Sequence, residues 1–398
     1  MIACICDCCV RKWVFGEVRR TELTGYRMQG QQSQNGILPV QYLQKAIHDG
    51  AISADQPIAA AQLQPASLDL RLGIDAWRVQ ASFLPGSKMT VADKLTKFAM
   101  HKIDLKAGAV LERGCVYIVK LQESLALPRG VSAMANPKSS TGRLDIFTRL
   151  ICDNATEFES VADGYKGPLY AEISPRTFSV LVRAGSRLSQ LRLRHGRTTV
   201  SDDAMQLLHS DVGLVHGDGG SKIDIRDGVA LTVNLEPDQK SGMIGWRARK
   251  HAGLIDIDAP ASCMVDAFWE RVATSDLAAG GLVLNPDEFY ILASREFVTV
   301  PCDHAAEMRA YDTRVGEFRA HYAGFFDPGF GMAELGGSQT RAVLEVRSHD
   351  VPFLIEQGQT VCRLVFEPML AVPDVLYGSV GSNYQSQGLR LAKHFIQD

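Results

Sequence analysis

Long hydrophobic runs are missing from this chain. No apolar stretch approaches the ~18 residues that a membrane-spanning helix needs. Charge of one sign is missing too. The 42 Lys and Arg nearly balance the 45 Asp and Glu, for a net charge of −3 and a pI near 6.4. That excludes the basic footprint of a nucleic-acid-binding protein. There is no spaced cysteine framework. Four of the nine cysteines crowd into Cys4, Cys6, Cys8 and Cys9, and Cys115, Cys152, Cys263, Cys302 and Cys362 stand alone. A reduced, cytoplasmic compartment is therefore expected. Cys6 and Cys9 form a C-x-x-C with no second pair and no His pair nearby, so a closed zinc site lacks ligands.

What is present is ordinary globular composition: 46% hydrophobic, 22% charged, 35 Gly and 16 Pro. Disorder, collagen-like repeats and coiled coil are excluded. A length of 398 residues predicts two domains of roughly 150–200 residues each. Residues 1–36 do not match the rest of the chain. Their apolar stretch is too short and too early for a signal peptide, and the polar run Gln29–Gly36 has linker composition. They are expected to form a disordered N-terminal extension.

The body of the chain repeats itself. Leu111 to Pro128 matches Leu284 to Pro301, with Tyr117 on Tyr290, Glu123 on Glu296 and Pro128 on Pro301. Further on, Glu172 matches Glu345 and Gly185 matches Gly358; every pair is 173 residues apart. A constant offset over so long a stretch marks a duplicated domain. The expected boundaries are 37–200 for the first copy, 201–225 for a linker and 226–398 for the second copy with a C-terminal closing tail. Each copy reads as short strands punctuated by Gly and Pro, among them VYIVKL, YAEIS and FSVLV, which predicts a jelly roll or barrel. The clearest helix runs from Val40 to Asp49, with Leu43, Ala46 and Ile47 on one face and Gly50 as its stop.

Three segments could carry chemistry. Gln64–Gly73 is a strand pattern with Asp69 and Arg71 on one face. Pro137-Lys-Ser-Ser-Thr-Gly-Arg143 sets small hydroxyl residues between two cations, a composition suited to an anion. Gly324-Phe-Phe-Asp-Pro-Gly-Phe330 is a tight turn ahead of the strand that bears Glu345. A glutamate in a strand ordinarily lies on a solvated outer face. Glu172 and Glu345 differ, because both sit among apolar neighbours and both copies have one.

In their order and spacing these segments resemble the dCTP deaminase branch of the dUTPase-like proteins, over roughly residues 37–398. The family's basic-Ser-Ser-x-x-Arg-Leu segment is met by Lys138 to Leu144. Its D-P-G-W hairpin and catalytic glutamate strand are met by Asp327–Phe330 and Glu345. Its closing tail is met by Asn383-Tyr384-Gln385-Ser386-Gln387. The resemblance implies a mainly β fold, two tandem dUTPase-like β-barrel or jelly-roll domains with a few short helices. It implies deamination of dCTP to dUTP and ammonia without a metal. A glutamate, Glu345 or Glu172, would exchange protons with water and base. Ser139 and the carbonyl of Ala323 would hold the water, and Arg143 would orient the glutamate. Lys138, Ser140, Arg309, Arg314, Asp327, Phe330, Tyr377, Tyr384 and Gln387 would bind the substrate and its phosphates.

No His here is followed by x-Glu, so the H-x-E signature of zinc deaminases is absent. The expectation is no protein-bound metal cofactor, with Mg²⁺ arriving on the triphosphate. The expected partners are dCTP, with dUTP or dTTP as related ligands, and further copies of the chain in a homo-oligomer, because sites in this fold lie between neighbouring barrels. Neither nucleic acid nor membrane is expected. The copies have diverged: the first keeps the serine segment, while the second has Arg309-Ala-Tyr-Asp-Thr-Arg314 there and keeps the better hairpin. That pattern favours a shared site of Ser139, Arg143 and Glu345. The alternatives are dUTP diphosphatase, a bifunctional deaminase and diphosphatase, and a non-catalytic nucleotide-binding regulator.

Overall fold

The protein is described from a computed structural model, which covers residues 35–217, 223–239, 241–310, 318–321, 324–337, 340–348, 351–379 and 388–396. The duplication seen in the sequence is a duplication of strands. Val116–Ala126, Val131–Pro137 and Val180–Val182 return as Phe289–Val298, His304–Ala310 and Phe353–Glu356. Each copy folds as curled antiparallel sheet. In the first, Lys166–Pro175 lies between Val116–Ala126 and Ile146–Cys152, so Glu172 faces Ile118 on one side and Arg149 on the other. In the second, Arg341–Ser348 takes that place, and Glu345 faces Ile291 and His321.

Burial along Val116–Ala126 explains why its sequence is apolar on both faces. Val119 and Leu121 point into the barrel core. Ile118 points the other way, into a satellite cluster with Val91 and Leu95. Those two belong to the helix Val91–Phe98, which the periodicity did not reveal. Its start is marked instead by a capping box, in which Thr90 and Asp93 each satisfy the other's backbone N–H. The helix expected near residue 40 is present as Val40–His48, with Leu43 fully buried and Gly50 beyond it at φ 76°.

The stretch 201–225, expected as a linker, is largely structured. Ser201 caps a helix over Asp202–Val212, and Val215–His216 pairs with Phe289–Val298. Met205, Leu214 and Val215 bury into the second core. Their side chains make this stretch part of the second barrel, because burying three apolar groups stabilises more than a solvated linker could.

The two copies are closely joined. Ile255–Asp256 adds in parallel to Val180–Val182, and Arg183 grips Asp256 through two contacts of 2.7 and 2.8 Å. The first core continues into second-copy aromatics, with Phe178 packed edge-on to Trp269 at 5.6 Å. Among the described residues, no helix is long and apolar enough to cross a membrane, and the five described cysteines form no disulfide.

Candidate active site

The docking of the copies leaves a cleft of about 600 Å³ between them, within the ordinary range for a small-molecule site. The first copy contributes Lys138, Ser139, Ser140 and Arg143; the second contributes Phe325, Asp327, Phe330, Glu345 and Tyr377. The serine segment reaches the cleft because the strand Val131–Pro137 ends in a single helical turn, Ser139–Gly142. That turn buries Ser140 and Arg143 and leaves Ser139 half-buried. The hairpin Gly324–Phe330 needs its glycine: Gly329 sits at φ 97°, with the Tyr377 carbonyl oxygen 3.1 Å from where a Cβ would stand.

At the inner end, Glu345 and Arg143 face one another across the copies. Arg143 Nε lies 3.9 Å from Glu345 Oε1, and both side chains are more than nine-tenths buried. Arg143 is held from behind by the Arg390 carbonyl at 2.7 Å, in the C-terminal segment of the second copy. Burial pushes the Glu345 carboxyl up to about 8, against the opposing pull of Arg143. A carboxyl poised there can both take and return a proton near neutral pH.

The outer end is cationic. Lys138 is joined to Asp69, and Arg187 approaches the same carboxylate at 3.4 Å. Lys393 lies beside them; burial lowers its pKa, and so does the repulsion of Lys138 and Arg187. Three cations around one carboxylate leave a surplus of positive charge, the electrostatic requirement for a polyphosphate. Between the two ends, Phe330 packs on Phe326 at 4.9 Å and on Tyr377 at 5.5 Å, forming an apolar wall.

Of the residues expected at the site, Lys138, Ser139, Ser140, Arg143, Asp327, Phe330, Tyr377 and Glu345 meet in this cleft. Two do not. Glu172 is buried elsewhere, with Arg149 Nε at 3.2 Å and Nη2 at 2.5 Å from its Oε1. Arg149 stands directly across the strand pair, so the carboxylate is neutralised in place. Arg309 is exposed on the strand His304–Ala310, away from the cleft. Ala323, Arg314, Tyr384 and Gln387 lie outside the described residues, as do the cysteines of the N-terminal segment. Sequence reasoning assigned no role to Asp69, and did not single out Arg187 or Lys393. Asp69 alone had a local signal, a carboxylate in an otherwise apolar strand, Leu68–Leu70.

Tandem barrels of the dUTPase-like kind share one cleft, with a buried glutamate at one end and cations at the other, a layout suited to a small anionic ligand. The family comparison is specific. The N-terminal domain of 2'-deoxycytidine 5'-triphosphate deaminase matches residues 34–197, and the C-terminal domain of the same family matches residues 201–395. The chain belongs to the dCTP deaminase family. It is similar to the crystal structure of 2'-deoxycytidine 5'-triphosphate deaminase from Agrobacterium tumefaciens, at 52% identity and a TM-score of 0.80, covering 86% of this chain and 100% of that one. It is 34% identical over 113 residues to the dUMP-forming dCTP deaminase of Methanobrevibacter smithii, spanning 27% of this chain and 54% of that protein. It is 30% identical over 142 residues to the dCTP deaminase of Haloarcula marismortui, spanning 34% of this chain and 68% of that protein.

Proposed function

We propose that this chain hydrolyses the C4 amino group of dCTP, giving dUTP and ammonia in the shared cleft. The observation that carries the reading is the pairing of Glu345 with Arg143 across the copies, 3.9 Å apart and buried at the inner end of the cleft. The base lies against them, and the triphosphate lies toward Lys138, Arg187 and Lys393. Glu345 takes a proton from water as the oxygen attacks C4 and passes it to ring N3. It then takes the remaining proton from the new C4 hydroxyl and delivers it to the departing nitrogen, leaving C4=O and ammonia. The Ser139 hydroxyl holds the water. Arg143 orients Glu345 and stabilises the charge that develops on the ring, a preorganised electrostatic contribution. No metal step is part of this route, and Mg²⁺ enters with the triphosphate as part of the substrate.

A second reading is favoured by one observation, that the Methanobrevibacter relative is named as dUMP-forming. In it the same cleft also releases pyrophosphate. Incubation with dCTP, following ammonia and separating dUTP from dUMP, tests both. Ammonia with dUTP supports the first reading, and ammonia with dUMP the second. Nucleotide binding without ammonia would reduce the chain to a binding protein. Further copies of the chain are proposed as its assembly partners, to be read by light scattering.

A further inference from the structure

Arg192 is fully buried, yet among the described residues the hydrogen bonds of its guanidinium cross to the other copy. It sits on the first-copy strand Ser189–His195. Its Nη1 donates to the Ala306 carbonyl at 3.1 Å. Its Nη2 donates to Asp327 Oδ1 at 3.1 Å and to the Phe326 carbonyl at 3.4 Å. The guanidinium also stacks 4.0 Å from the centre of the Phe325 ring. Phe325, Phe326 and Asp327 are consecutive residues of the hairpin, and all three line the cleft.

Burying a guanidinium is costly unless its partners are arranged for it. Barrel architecture alone does not require this one. At the repeat offset its position in the second copy is Val365, an apolar residue on the matching strand Thr360–Pro368. The neighbouring Arg194 follows the same logic, donating to Glu307 at 3.1 Å and to Glu367 at 2.8 Å. Arg194 and Glu367 are themselves repeat-equivalent, 173 residues apart. The first copy therefore presents arginines and the second presents carboxylates. Pairing of like copies would set arginine against arginine or glutamate against glutamate.

We propose that Arg192 is a positioning residue for the reaction: it fixes the second copy's hairpin and Asp327, so that this wall of the cleft is shaped only when docked on the first copy. The inference rests on the deaminase reading for its kinetic consequence. Without the guanidinium, Asp327 is a buried carboxylate beside two carbonyls that have lost a donor. The hairpin then relaxes toward solvent and carries Phe325 and Phe326 with it. A displacement of about 1 Å at such a wall can cost on the order of 10² in rate.

The test uses the full chain with Arg192→Lys, Arg192→Met, Asp327→Asn and the double variant Arg192→Met/Asp327→Asn. The readouts are kcat and KM for dCTP and hydrogen exchange of the amides in 324–330. Loss of about 10² in kcat/KM is expected for Arg192→Met, with a smaller loss for Arg192→Lys, which keeps the charge but not the fork. Exchange should rise in 324–330 and stay unchanged in 341–348. The double variant should be no worse than Arg192→Met alone, because the Asp327 contact is one of those that the loss of the guanidinium already removes. A purely structural staple would lower Tm while leaving kcat, KM and hairpin exchange unaltered; that outcome, or additive losses in the double variant, overturns the inference. Should Arg192→Met fail to fold, Arg192→Lys decides on the same criteria. If the wild type releases no ammonia from dCTP, the deaminase reading falls, and hairpin exchange alone then decides the role of Arg192.

Discussion

Glu345→Gln should abolish turnover and stabilise the fold, with the stabilisation growing as pH rises. The Glu345 carboxyl is held at about 8 in the folded chain against an ordinary 4.5. Below the ordinary value both states are protonated and nothing is lost. As pH rises from 4.5 to 8, the unfolded chain ionises while the folded one resists, so the folded state binds more protons and stability falls. The loss levels off above the folded value. Each pH unit between the two values is worth about 1.4 kcal/mol, so the ceiling is about 5 kcal/mol. Glutamine keeps the shape and does not titrate. It also forgoes the attraction of Arg143, so the net change near pH 5 should be close to zero or slightly destabilising. At pH 8.5 a gain of a few kcal/mol should raise Tm by several degrees, at about 2–4 °C per kcal/mol. The assay is a thermal scan of wild type and variant from pH 5 to 9, beside dCTP turnover. Loss of the base should lower kcat by at least about 10²–10⁴. A difference in Tm that stays flat across this range would refute the argument that burial raises Glu345. Retained turnover would remove it from the chemistry.

Ser139→Ala and Arg143→Ala should each lose about 10²–10³ in kcat, measured as ammonia release under saturating dCTP. Near-normal rates for both would move the chemistry out of this cleft. Glu172→Gln should retain turnover but lower Tm, because the partly buried Arg149 loses its counter-ion; a change of about 1–3 kcal/mol is expected from denaturant melts. Lys393→Ala should raise KM for dCTP more than for dCMP, since the cationic end of the cleft meets only the polyphosphate. Chelation should slow the enzyme only as far as it strips Mg²⁺ from dCTP, and activity should return when Mg²⁺ alone is added back. Stoichiometric zinc in the active protein, whose removal stops deamination, would contradict the metal-free route.

Much of the architecture was already present in the order of residues. The offset between Tyr117 and Tyr290, and between Glu172 and Glu345, announced two copies, and the strands follow it. Strand alternation and turn residues are local properties, set by neighbours along the chain, so they can be read without a fold. Local helix signals were legible only in part. Val40–His48 shows an apolar face, whereas Val91–Phe98 and Asp202–Val212 are marked chiefly by their caps, Thr90 and Ser201. The motif segments located Ser139, Arg143, Asp327 and Glu345, and the divergence of the copies favoured one shared site for Ser139, Arg143 and Glu345, but neither could build the cleft.

Docking did that. Glu172 and Glu345 have similar strand surroundings; the divergence of the copies favoured Glu345, and tertiary structure shows how differently the two are placed. One lies across a strand pair from Arg149, and the other lies across the copies from Arg143. Asp69 and Arg187 meet within the first copy, through the pairing of Leu68–Leu70 with Ser189–His195, and Lys393 reaches them only from the second copy. Arg192 is a strand arginine with no local sign of its role. Its partners, Ala306, Phe326 and Asp327, lie more than a hundred residues away. Periodicity along a chain dictates which face a side chain takes, but the group it meets there depends on how whole sheets pack, and that is a long-range balance of burial and charge.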